Sequence, residues 1–182
     1  MTSLIRRLAR SRRGAILPEF AVAMPVLVMM LLGGTEISRY VLLHQKLDRV
    51  AATMGDLVAQ AETITTADLD NLFDAAGFVA SPFTMGDNGV VVISSIGLVS
   101  AQPHVNWQRA GGGALPASSD IGVTGAVATL PDGLTVREGE TLIIAEVFYA
   151  YTPWILGGFT NPATLYHRAF FRPRFGSLET LG

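Results

Sequence analysis

The stretch Arg12-Arg13-Gly14-Ala15-Ile16-Leu17-Pro18-Glu19-Phe20 sets one carboxylate, Glu19, inside an apolar run that lasts to Gly34. The chemistry open to that group is charge pairing. An unpaired charge in hydrocarbon costs about 2.5–3.5 kcal/mol at a helix centre on insertion scales, and less near a helix end. Glu19 therefore asks for a partner, and no cation lies within the run to supply one.

Other constellations that could carry chemistry fall short of their patterns. Asp68, Asp70 and Asp74 invite a calcium loop, but Leu72 stands where a third ligand is wanted and no glycine follows it. A solvated helix face accounts for them better. His44, His104 and His167 lack paired ligand spacing, so no metal site is expected. No serine lies in a Gly-x-Ser-x-Gly elbow, and no nucleophile has a base near it in sequence, so catalysis and cofactors are not expected. The glycine-rich stretch 110–125 is followed by no Gly-Lys-Ser/Thr and reads as a long flexible loop rather than a phosphate cradle. Trp107 beside it is expected to tuck against a sheet.

These residues need elements to hold them. The twenty residues from Ala15 to Gly34 carry no charge but Glu19 and suffice, at about 1.5 Å each, to cross a hydrocarbon core of about 30 Å. A cleavable secretory signal would have a shorter core and a small-residue cleavage site, which Thr35-Glu36-Ile37-Ser38-Arg39 does not offer. Arg6, Arg7, Arg10, Arg12 and Arg13 crowd the start with no acid among them, and from Arg39 onward acids outnumber bases. The positive-inside rule thus keeps the N-terminus in the cytoplasm and exports the rest. Nucleic-acid binding is not expected of an acidic exported part, and the absence of cysteine excludes disulfides and thiolate metal sites.

The helix is expected to outlast the membrane. Leu43, Leu47, Val50, Met54, Leu57, Ala61 and Ile64 form an apolar seam, with Pro25, Gly33-Gly34 and Gly55 as places where the rod could bend or break. Thr65-Thr66-Ala67-Asp68 predicts a second helix start, followed by the stripe Leu69, Leu72, Phe73 and Ala76 up to Gly77. Strands are predicted at 90–99, 142–151 and 165–172, the last ones pairing antiparallel. Glu146, within an apolar strand, is expected to pair across the sheet with Arg168 or Arg172.

A basic leader ending in glycine, then Glu19-Phe20-Ala21, Pro25 and Gly34-Thr35-Glu36-Ile37-Ser38-Arg39, resembles the TadE family, the minor pilin-like proteins of tight-adherence (Flp-type) pili. Glu146 to Pro153 and Arg168 to Arg174 also look like the family's tail. The resemblance implies that a prepilin peptidase cuts between Gly14 and Ala15. The new ammonium at Ala15 would share a helical face with Glu19, four residues on, so Glu19 could pair with its own terminus or a neighbouring subunit's. Glu19 and Phe20 are thus the expected assembly residues.

The expected fold is α+β and pilin-like: a long N-terminal transmembrane helix extended into an exported helix, then a short helix and a small antiparallel β-sheet. Its parts are a basic cytoplasmic leader (1–14), a transmembrane helix (15–34), an exported helix extension (35–62) and a periplasmic α+β domain (63–182). The expected function is that of a non-enzymatic pseudopilin subunit in a single-pass topology in the bacterial inner membrane. It would assist assembly of a Tad-type pilus for surface adhesion, with prepilin peptidase, other pilin-like subunits and the Tad secretion machinery as partners. The alternative is a signal-anchored periplasmic sensor or ligand-binding module that uses the glycine-rich loop and Trp107.

Overall fold

The structure, a computed structural model, describes residues 16–155 and 162–182. Helix α1 runs unbroken from Ile16 to Ala59, a rod of about 66 Å at the α-helical rise. Pro25, Gly33-Gly34 and Gly55 all lie within it without ending it. Its first half stands clear of the rest of the chain. Side chains from Phe20 to Leu32 are exposed, and the helix is long and apolar enough to cross a membrane, with a mean hydropathy of 1.9 over its most apolar window.

The second half packs onto the chain's own sheet. Leu43, Leu47, Val50, Ala51, Met54 and Val58 are buried in one core with Ile64, Leu69, Phe73, Ile93, Trp107, Ile143 and Val147. The predicted seam holds as far as Met54 and then shifts. Leu57 is 41% exposed and Val58 takes its place, because the next inward step is four residues rather than three. Helix α2, Thr66–Ala80, begins at the predicted N-cap: Asp68 N–H donates to Thr65 Oγ1, and the Asp68 carboxylate accepts from Thr65 N–H. It continues one turn past Gly77, burying Ala80 with Leu69, Phe73 and Ala76.

A 3-10 turn, Gly86–Asn88, leads into a four-stranded antiparallel sheet of β1 (Gly89–Val99), β2 (Gln102–Gly111), β3 (Leu142–Tyr151) and β4 (Ala163–Phe171), in the order β2-β1-β3-β4. The fold is α+β as expected. β1 and β3 are central and buried on both faces, which is why they read as continuous apolar runs. β2 was not predicted. It is an edge strand with a polar sequence and contains Pro103, which an edge tolerates. Its hairpin turn is Ser100-Ala101, with φ of 52° and 62° at the two residues, where Asn-Gly would be the usual signal.

The chain between β2 and β3 corrects a second expectation. Residues 110 and 111 end β2, and the glycines after them pack closely instead of forming a flexible loop. Ala114 N–H donates to Gly86 O at 2.7 Å and Leu115 N–H to Gly89 O at 3.2 Å. A Cβ on Gly113 would stand 2.1 Å from Gly89 O, and one on Gly111 would stand 2.2 Å from the Phe73 ring, so both positions need glycine for close approach. Beyond them, Leu115, Ala117, Ile121, Ala128 and Leu130 cover the sheet face opposite the helices.

Candidate assembly interface and the neck of the anchor

Glu19 and Phe20 lie in the first turn of α1. Both are exposed, and among the described residues Glu19 has no ion-pair partner. Pro18, Glu19, Val22, Ala23, Val26 and Leu27 line a shallow, almost wholly apolar groove along this face of the helix. The small Ala23 leaves room there for a neighbouring helix to approach. Gly14 and Ala15 lie outside the described residues.

Two turns past the groove's apolar surroundings a second acid is placed quite differently. Glu36, two residues after Gly34, is buried against the end of β3. It accepts hydrogen bonds from the Tyr151 hydroxyl, from Ile155 N–H at 2.8 Å and from Trp154 N–H at 3.2 Å. The Tyr151 hydroxyl, the two N–H groups and the nearby Arg39 charge hold the carboxyl below its ordinary range, against the opposing pull of burial. Burial, then Glu36 itself, pushes Tyr151 up to about 12, so its proton stays in this bond. The Arg39 guanidinium lies 5.8 Å from the Phe83 ring centroid and 5.9 Å from that of Trp154. These contacts form a neck that fastens the exposed half of α1 to the sheet where the apolar run ends.

Sequence reasoning quoted Thr35 to Arg39 and Glu146 to Pro153 as separate motifs and did not see that they meet. The signal was a lone acid just beyond a membrane-length run. Its acceptors' partners include two backbone N–H groups, which no residue type announces.

About two turns beyond Glu36 along α1, His44 and His167 of β4 are joined ring to ring, Nδ1 to Nε2 at 2.8 Å, and His167 Nδ1 lies 2.5 Å from Asp48 Oδ1. Tyr40 packs edge-on to both His44 and Tyr151. His44 is shifted down by burial and by His167, with Asp48 opposing. Histidines widely spaced in sequence therefore do meet, but as a hydrogen-bonded chain. No group of three His, Asp or Glu side chains is arranged to hold a metal ion among the described residues.

Glu146 does not make the expected ion pair. It faces Arg168 in the β3–β4 register, yet its carboxylate is fully buried and accepts from Ser119 Oγ, Asp120 N–H at 3.0 Å and Tyr166 OH at 2.9 Å. Arg168 stacks over Tyr166 and Phe170, and Arg172 turns to Glu140 at 3.4 Å. The covering loop supplies Ser119 and the Asp120 N–H, and β4 supplies Tyr166, as donors in place of a guanidinium. Trp107 is buried as expected, its Nε1–H donating to Leu178 O at 2.8 Å, which leaves it no part in a recognition surface.

Neither the curated proteins nor the solved structures gave a match to this chain. The family model described as TadE-like protein matches residues 14–55, which span α1 from the glycine before it to Gly55. The match covers Gly14-Ala15, Glu19-Phe20 and Thr35-Glu36, the residues that carry the resemblance, and over this part the chain is similar to TadE-like proteins.

Proposed function

We propose that the protein is a minor pilin-like subunit for a Tad or Flp-type pilus, single-pass in the inner membrane, with its N-terminus cytoplasmic and its folded domain periplasmic. In this reading prepilin peptidase cuts between Gly14 and Ala15, removing the leader arginines. The new ammonium and Glu19 then lie on one helical face, and docking beside another pilin-like subunit compensates the carboxylate. The protein acts by assembly rather than catalysis.

The observation that carries this reading is the uncovered first half of α1. From Glu19 to Leu32 its apolar side chains and its one acid are exposed, while the second half is locked into the domain. The family match over 14–55 supports it, since TadE-like proteins are pilin-like and Tad pilus-related. The test is made in the native host, by N-terminal sequencing of the mature protein and by scoring filaments after Glu19→Ala. The expected results are Ala15 as first residue, and processed but unincorporated Glu19→Ala protein. An intact leader in filament-competent cells would overturn the cleavage step, and normal incorporation of Glu19→Ala would overturn the docking role.

A further inference from the structure

The end of the domain nearest the anchor is not finished like a water-facing surface. Trp154 is 76% exposed, although its own N–H and that of Ile155 both donate to Glu36. On α1, Ile37, Tyr40, Val41 and Leu42 are also exposed, whereas exposed charged side chains return only at Asp48 and Arg49. From Gly34 to Leu42 the helix climbs about 12 Å, and to Tyr40 about 9 Å. The headgroup layer occupies roughly 5–8 Å on each side of the hydrocarbon core. Ile37, about 4.5 Å above Gly34, and the indole, held near the height of residue 36, therefore lie within the layer where amphipathic aromatic rings settle, and Tyr40 and Val41 stand at its outer edge. Because the Glu36 hydrogen bonds fix Trp154 at the height of residue 36, its depth follows from that of α1.

We propose that this end of the domain, centred on Trp154 and Ile37, is a second membrane contact that sits in the headgroup layer of the leaflet from which α1 emerges. The occupant is lipid, because the collar continues the exposed apolar surface of the helix, Glu36 being buried and Arg39 half-buried. Arg39 fits the same setting: its guanidinium lies beside Trp154, at the level where phosphate groups lie, and makes no salt bridge among the described residues. The domain would then rest on the bilayer instead of standing off it. This inference rests on α1 crossing the membrane and is independent of any role in pili.

The test uses the full chain in phosphatidylcholine vesicles carrying nitroxide labels at the headgroup, at shallow chain depth or at mid-chain. Trp154 is read as the difference between the wild type and Trp154→Phe, with buried Trp107 as the internal reference. Leu27→Trp in the Trp154→Phe background reports insertion of α1. Trp154 emission is expected to fall about twofold more with shallow labels than with mid-chain labels and to resist aqueous iodide, while the residue 27 reporter responds most to mid-chain labels. Iodide quenching of Trp154 without any lipid response, with residue 27 still inserted, would overturn the contact alone. Shielding of Trp154 from both quenchers would mean that protein covers it and would also overturn the contact. A residue 27 reporter blind to mid-chain labels would remove the spanning helix and this inference together.

Discussion

The seat of α1 on the sheet depends on a missing side chain at residue 55. A Cβ built on Gly55 would stand 2.6 Å from Phe171 Cδ2, 2.9 Å from Cε2 and 3.3 Å from Ala145 Cβ. Carbon contacts are comfortable at about 3.5–4.0 Å, so the ring must retreat by about 1 Å. Alanine in place of glycine gains about 1 kcal/mol of helix propensity, while overpacking of this kind costs about 1–3 kcal/mol. Gly55→Ala is therefore expected to destabilise by about 1 kcal/mol, the overpacking outweighing the helical gain. Gly77 supplies the control, since it lies inside α2 with nothing within 4 Å of its Cβ position, and Gly77→Ala should stabilise by about 1 kcal/mol.

The two variants should thus differ by about 2 kcal/mol, or about 4–8 °C in Tm for a chain of this size. Thermal unfolding of the full chain in detergent micelles, followed by circular dichroism, measures the difference. On a Phe171→Ala background the clash is gone, and Gly55→Ala should become stabilising like its control. If both glycine variants raise Tm equally in the wild-type background, the close helix-to-sheet approach does not exist and the reasoning fails.

Two further perturbations probe the polar groups inside the domain. Glu146→Ala leaves the Asp120 N–H and the Ser119 and Tyr166 hydroxyls without their acceptor; at about 1–3 kcal/mol for each unsatisfied buried group, the loss should be about 3 kcal/mol or more. Glu146→Gln keeps the shape and one acceptor and should cost clearly less, and equal urea midpoints for the two variants would contradict the clamp. His44 has its pKa lowered in the folded chain, so below the ordinary value of 6.5 the unfolded chain binds more protons. Stability should be full above that pH and decline as pH falls toward the depressed value; His44→Gln should flatten this part of a urea-midpoint profile, and an unchanged slope would count against the buried ring.

What could be read from the residues was mostly what repeats or what a single residue type announces. The apolar run of α1, the Thr65–Asp68 box and the β-branched runs of β1 and β3 each state their conformation locally. β2 does not, because an edge strand needs no apolar face on both sides and its Ser100-Ala101 turn lacks the glycine that marks such turns. The glycines near residue 111 were visible, but their reason was not: they make way for Phe73 and for the Gly89 carbonyl, neighbours that only the fold supplies. Glu19 was legible as an unpaired charge because its surroundings are its own sequence. Glu36 was not, because its partners Tyr151, Trp154 and Ile155 arrive from 115 or more residues away.

Because α1 runs unbroken from its exposed half onto the sheet, it works as a keyed axle in the proposed membrane-spanning arrangement. One residue inserted between Gly34 and Glu36 would swing the whole domain by about 100° around the axis and lift it by about 1.5 Å. The count of residues in that short interval therefore sets the compass bearing of the domain relative to the exposed half of α1.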